Sequence, residues 1–483
     1  MGRHKRGIAL EELFQLKKNG TNVKTEIIAG LTSFMTMAYI IALNPNLLVG
    51  FDASGTPHWN GVFMGTCIAS AIGMFVMAFA ANKPFGTASG MGMNSFFAVV
   101  VANIVAITGM SYLESYQAAL VIVLIEGTIF VTLSLLGIRE KIIVAIPTGV
   151  RLGIPPAMGI MLMNIGFGSN AGVNSGDGNT YYMMQDYFGA LTTQQISRKM
   201  GDSFPLMLLT VVTAFLGLFI IVILAQRGEK AAMMIGMLAA SLFYWAGELL
   251  FLGTNPFAEL KGKSFLPPVS DWAKTTLFKF NFKGFVEIGF FTIVTLIVTF
   301  CVIDMFNTIG SLVGAAGRVG MVDRNGKMPK MREALLADAV GTVMGSVTGT
   351  SPVTTFIESA SGVEAGGRTG LTALTTGIMF LACMFIAPLA AIIPAAATSS
   401  ALIYVGILML GGLKSIDFND ICQTVPVGLM MIAMPISGSV GHGIGLGLIS
   451  YSLLMLFTGK GKKVSVLTYI LSLVFFIKFF LVV

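Results

Sequence analysis

The chain has 483 residues, 55% of them hydrophobic and 11% charged, with a mean hydropathy of +0.83. A soluble protein carries about 25% charged residues, and one hydrophobic core stops growing near roughly 250–300 residues, so this much apolar sequence must face lipid. The same figures exclude a disordered, collagen-like or disulfide-scaffold protein. The net charge of +7 is scattered through short polar segments with no basic, aromatic-rich patch, which excludes nucleic acid and leaves the bilayer as the expected partner.

The amino-terminal segment 1–26 is too charged for a cleaved signal peptide, and Ile8, Leu13, Phe14 and Leu16 predict a short helix lying on the membrane surface. A spanning helix needs about 20 mostly apolar residues. In chain order the predicted spans are 27–49, 61–81, 88–108, 117–137, 142–167, 204–225 and 231–252, which make a first set of seven in 27–253. An external loop, 254–283, separates them from 284–314, 334–347, 350–366, 371–393, 395–410, a long stretch 421–457, and 467–483, a second seven in 284–483. Pro426 and Pro435 divide the long stretch into an interfacial piece followed by a span.

Cytoplasmic loops collect Lys and Arg. Arg3, Lys5, Arg6, Lys17, Lys18 and Lys24 therefore place the amino terminus in the cytoplasm. The turns at Arg139, Glu140 and Lys141 and at Arg227 and Lys230, and the loop 318–332, fall on the same side. Lys460, Lys462 and Lys463 break the pattern, because they fall outside when the carboxyl terminus is cytoplasmic. The expected location is the plasma membrane, a bacterial inner membrane, crossed many times.

The two halves repeat. Gly86-Thr87-Ala88-Ser89-Gly90 answers Gly349-Thr350-Ser351-Pro352, and the same offset carries 24–49 onto the span that begins near Glu287. Seven spans is an odd number, so the second copy is inverted, the arrangement of secondary transporters whose interrupted helices meet at mid-membrane. The expected fold is thus all-α integral membrane, with 14 segments as a 7+7 inverted repeat. Glycines in Gly86 to Asn94 and Pro352 with Val353, Thr354 and Thr355 make poor continuous helix, so both segments are expected to be broken or extended. Irregular backbone at that depth is tolerated where it lines a cavity. Half-helices starting near Asn94 and near Thr354 and Thr355 would aim their N–H groups at the centre.

Ionisable residues inside the spans are Glu126, Glu248, Asp304, Asp338, Glu358 and His442, with Lys478 near the end. Such groups are expensive in hydrocarbon and are candidates for function. Asp304, Asn307 and Thr308 are spaced to share a helix face, and Glu358 follows the second break, where a carboxylate accepts N–H donors or exchanges a proton. Phe34 or Phe97 is a candidate for stacking on a ring. Cys67, Cys301, Cys383 and Cys422 are far apart and read as small buried side chains, with no disulfide, metal site or cofactor expected. Phosphate-loop and paired catalytic motifs are missing, so the chain is not expected to be an enzyme or an ATP-driven pump. The glycine run 362–370 looks like a phosphate cradle but has no soluble strand–helix unit around it, and reads as a turn between spans.

At these residues the sequence resembles the azaguanine-type (AzgA-like) purine permeases of the nucleobase–cation symporter-2 superfamily. The resemblance runs from Thr25-Glu-Ile-Ile-Ala-Gly-Leu-Thr-Ser-Phe-Met-Thr-Met-Ala-Tyr-Ile, with Asn44-Pro45, through Gly90-Met-Gly-Met-Asn-Ser-Phe-Phe97 and Ile303-Asp-Met-Phe-Asn-Thr-Ile-Gly310. It continues through Gly349-Thr-Ser-Pro-Val-Thr-Thr-Phe-Ile-Glu-Ser-Ala and the Gly-Gly-Arg-Thr-Gly-Leu that ends at Leu371. It implies a core domain from spans 1–4 and 8–11 and a gate domain from spans 5–7 and 12–14. Broken helices 3 and 10 would flank a purine base at mid-membrane, imported with a proton. The implied binding groups are Asn94, Asp304 and Glu358, with Gly90, Gly92, Thr354 and Thr355 around them, and Asn307 and Thr308 on the Asp304 face. Two positions depart from the family pattern: Ser89 stands where Pro precedes Gly-Met-Gly, and Asn307 replaces the second carboxylate of the Asp-x-x-Asp face. An amide cannot carry a proton, so either Glu358 or Asp304 does the coupling, or the chain has shifted substrate or lost tight coupling. Which purine is carried, H+ against Na+ as the ion, and a homodimer as the assembly stay open. The rival reading is an anion or other nucleobase (uracil or xanthine) transporter of the same architecture, uncoupled or not.

Overall fold

The computed structural model describes residues 10–50, 53–137, 147–168, 204–317, 321, 328–437 and 439–480. Ile8, the turn at Arg139, Glu140 and Lys141 and most of the loop 318–332 lie outside them. The first half runs α1 (Val23–Val49), α2 (Pro57–Ala81), β1 (Thr87–Ser89), α3 (Met91–Thr108), α4 (Tyr112–Leu136), α5 (Thr148–Phe167), α6 (Phe204–Gln226) and α7 (Ala232–Leu252). The second half runs α8 (Phe290–Gly317), α9 (Met331–Thr348), β2 (Val353–Thr355), α10 (Ala360–Glu364), α11 (Gly370–Ala391) and α12 (Ala395–Lys414). It closes with α13 (Ile421–Ser437), α14 (Val440–Phe457) and α15 (Val466–Phe480). Among the described residues ten helices are long and apolar enough to cross a membrane, and α8, α13 and α15 hold shorter apolar stretches.

Local chemistry sets the helix ends. Thr56 caps α2 ahead of Pro57, and Ser111 and Glu114 form a reciprocal capping box on α4. Gly109 and Gly137 end α3 and α4 in the left-handed conformation that glycine adopts without strain.

Packing partners exchange between the halves as a two-fold relation demands. α4 lies on α9 as α11 lies on α2, and α6 lies on α12 as α13 lies on α5, while the α2–α9 and α5–α12 pairs sit across the relation. The fold is therefore the all-α 7+7 inverted repeat. Contacts also correct the reading of 421–457. That stretch is two helices, α13 and α14, which pair with one another as α6 pairs with α7, and α15 packs on α14 and α8. The extra reversal returns the lysine turn to the side on which α5 begins: Lys460 and Lys463 line a cavity of about 210 Å³ with Thr148 and Gly149.

The described part of the amino-terminal segment, from residue 10 on, packs against the end of α2. Phe14 and Leu16 are buried, Phe14 stacks on Phe79 with ring centroids 6.0 Å apart, and Asn82 Nδ2 donates to the Phe14 carbonyl at 3.0 Å. The glycine run 362–370 closes around a carboxylate of the chain itself. Glu26 is fully buried and accepts from the N–H groups of Arg368 (2.8 Å), Thr369 (3.3 Å) and Thr372 (3.2 Å) and from Thr372 Oγ1 (2.6 Å).

Candidate functional site

The two broken segments meet. β1 and β2 pair antiparallel with Thr87 opposite Thr355, Ala88 opposite Thr354 and Ser89 opposite Val353. The pair is extended at both ends by Gly90 N–H to the Pro352 carbonyl (3.3 Å) and Phe356 N–H to the Gly86 carbonyl (2.9 Å). Peptide groups that no helix satisfies are thereby satisfied by each other, as they must be away from water. Close approach needs glycine on one side: a Cβ at Gly90 would lie 2.7 Å from Thr354 Oγ1. α3 starts directly after β1, and the turn Ile357–Ser359 and α10 follow β2.

A cavity of about 540 Å³ opens between this crossing and the helices α5 and α12. Gly90, Met91, Gly92, Asn307, Ser311, and 354–358 form one wall, with the hydroxyls of Thr354 and Thr355, the Asn307 amide and the Glu358 carboxylate. Pro155, Val405, Leu408, Met409 and Gly412 form the other, which has no polar side chain. The volume falls in the range of small-molecule sites, which combine apolar walls with a few placed polar groups. Such a site suits a small ligand that presents both hydrogen-bond donors and acceptors on one side.

Six of the nine candidate binding residues line this cavity: Gly90, Gly92, Asn307, Thr354, Thr355 and Glu358. Asn94, Asp304 and Thr308 are fully buried behind its wall. Asn94 braces the crossing, its Oδ1 accepting from Ser351 Oγ at 2.5 Å and its Nδ2 donating to the Ser89 carbonyl at 3.3 Å. Thr308 Oγ1 lies 3.2 Å from Asp304 Oδ1 and 2.6 Å from Asp338 Oδ2, a hydroxyl between two carboxylates. Asp338 Oδ1 accepts the Thr355 N–H at 2.7 Å, so α9 holds β2 from behind. The role of Asp338 is invisible until β2 is paired. Phe34 packs edge-on against Phe380 and Phe97 against Tyr116, and neither lines the cavity. Glu126, Glu248, His442 and Lys478 do not line it either.

Two further contacts fall on Glu358. Tyr39 Oη donates to its Oε1 at 3.0 Å, and Thr36 Oγ1 donates to its main-chain carbonyl at 3.2 Å. Neither residue stands out in sequence, since a tyrosine and a threonine in an apolar helix carry no charge signal.

Comparison with known proteins agrees with this architecture. The Permease family model matches residues 24–444. The guanine/hypoxanthine permease PbuO of Bacillus subtilis is 36% identical over 472 residues, covering 97% of this chain and 100% of that protein. The adenine permease AdeP of Escherichia coli is 34% identical, covering 97% and 95%. In structure the chain is similar to the transmembrane domain of the cyanobacterial bicarbonate transporter BicA, with a TM-score of 0.60 at 13% identity over 87% of this chain and 97% of that one, a likeness of fold. With the family model spanning most of the chain and these relatives matching it end to end, this multi-pass membrane protein belongs to the Permease family, within the nucleobase–cation symporter-2 superfamily that its motifs resemble.

Proposed function

We propose that the protein carries a purine nucleobase across the plasma membrane together with a proton, with its amino terminus in the cytoplasm. The single observation that supports this best is the divided cavity, with every polar side chain on the wall made by α3, α8 and the β2 turn and a bare apolar wall made by α5 and α12. The base lies between them, its ring N–H groups on Glu358 and its acceptors on Asn307, the threonine hydroxyls and the N–H groups that open α3. A core of α1–α4 and α8–α11 shifts against a gate of α5–α7 and α12–α15 and exposes the site to one side at a time. Glu358 carries the coupling proton, or Asp304 does through the hydroxyl it shares with Asp338.

Purine permeases among the relatives support the substrate class. A carboxylate on the polar wall disfavours an anion. The test is uptake of labelled hypoxanthine, guanine and adenine into proteoliposomes with an inward pH gradient imposed or collapsed. Accumulation of one base only with the gradient is expected. Equilibration without accumulation removes the proton from the proposal, and movement of small anions in place of any base removes the substrate.

A further inference from the structure

α1 is two pieces, Val23–Met37 and Ile40–Val49, and the interruption places Tyr39 at the head of the second. Tyr39 is fully buried. Its ring belongs to the apolar cluster that takes in Trp59 and Phe63 of α2 and Ala401 and Leu402 of α12. Its hydroxyl comes to Glu358 from behind the wall: Glu358 lines the cavity and Tyr39 does not. A tyrosine turns about two side-chain bonds, and a ring held in a packed cluster keeps its hydroxyl where the packing puts it. The main chain of the same turn is gripped from the same helix, by Thr36 at the Glu358 carbonyl (3.2 Å) and by Ser33 at the Ser359 carbonyl (3.5 Å).

We propose that Tyr39 is a positioning residue for the ligand: by donating to Oε1 it fixes the plane of the Glu358 carboxylate and leaves Oε2 to accept an N–H of the substrate. This rests on the nucleobase reading of the cavity and deepens it. An ionised carboxylate only accepts, so a donor on one oxygen orients the group without competing for the ligand's N–H on the other. A pre-aimed acceptor selects ligands that bring a donor along one edge, and an unaimed one gives up that selection.

The experiment measures hypoxanthine binding to the purified protein, and uptake kinetics in proteoliposomes, for Tyr39→Phe, Glu358→Gln, the double variant and Thr36→Val. Phenylalanine keeps the ring and its packing, so Tyr39→Phe is expected to melt as the parent does. It should weaken binding and raise KM about ten-fold with the maximal rate within about two-fold, in keeping with a lost hydrogen bond to a charged group. In the Glu358→Gln background the same change should cost less, since the charged acceptor of the bond has become a neutral amide oxygen. Unchanged affinity in Tyr39→Phe overturns the proposal, as does the same loss in both backgrounds, which would assign Tyr39 to packing. An equal loss in Thr36→Val, which leaves the Tyr39 hydroxyl in place, overturns it too. Unchanged hypoxanthine binding in Glu358→Gln is a separate failure, of the nucleobase reading itself.

Discussion

Glu26 and Thr372, 346 residues apart, are joined at 2.6 Å by a hydrogen bond from the threonine hydroxyl to a fully buried carboxylate. The same carboxylate takes the N–H groups of Thr369 and Thr372 and so caps the start of α11 with a residue of α1. A negative group at a helix amino terminus satisfies donors that have no partner within the helix. Glu26→Ala is expected to destabilise the protein by roughly 3 kcal/mol and Glu26→Gln by about half of that, the scale of hydrogen bonds to a charged acceptor. Thermal melting of the purified variants measures both, and a melt equal to the parent's would refute the cap.

The pair Gly159 and Gly406 predicts a second effect. A Cβ at Gly159 would lie 2.5 Å from the Gly406 carbonyl oxygen, and one at Gly406 would lie 2.6 Å from that of Gly159. Main chain meets main chain where α5 crosses α12, and nothing there can swing aside. Gly159→Val should cost roughly 1–3 kcal/mol by forcing the helices apart, and adding Gly406→Val should cost much less than a second such increment. Denaturation of the single and double variants decides between sharing one gap and acting separately.

The loop 254–283 gives a third. At the carboxyl end of α9 the carbonyls of Val347, Thr348 and Gly349 are met by Phe278 N–H (2.9 Å), Trp272 Nε1 (2.7 Å) and Tyr116 Oη (3.0 Å). Two of those three donors come from the loop 254–283, so the loop is part of the support of the broken segment. Trp272→Phe removes one donor and should lower stability by about 1 kcal/mol. Trypsin should then cut faster at Lys274 and Lys279 than in the parent, and an unchanged digestion pattern would argue against a clamp.

Asp338 supplies a fourth. Its Oδ1 holds the Thr355 N–H and its Oδ2 lies 2.6 Å from Thr308 Oγ1. Asp338→Ala leaves a buried N–H without an acceptor, costing roughly 1–3 kcal/mol. Uptake should fall further than the melting point suggests, because the wall bearing Thr354 and Thr355 loses its backing. Asp338→Asn keeps an acceptor and should bind hypoxanthine while failing to accumulate it, and full accumulation in that variant would take Asp338 out of the proton route.

The broken segments were legible because glycine and proline at Gly86, Gly90, Gly349 and Pro352 have backbone consequences that do not depend on context. Glu358 was legible through the cost of a carboxylate in an apolar span. The division of the α8 face was not. Three residues along a helix turn the side chain by about 60° and four by about 40°, so Asn307 and Ser311 go one way and Asp304 and Thr308 another. Spacing admits both groupings, and only the position of α9 and Asp338 chooses between them. Tyr39 was illegible for a related reason, since its partner is 319 residues distant. The α13–α14 reversal hides within one apolar run, because hydropathy registers length and not direction.

The wall formed by Pro155, Val405, Leu408 and Met409 has a consequence for motion. Contacts to such a surface are non-directional, each a small fraction of a kcal/mol, and none must be broken before another forms. On the proposed reading, a flat molecule fastened by hydrogen bonds to the opposite wall would meet no directional contact here as the two walls shift. Recognition chemistry could then be altered on the polar wall without adding a directional contact to the apolar one.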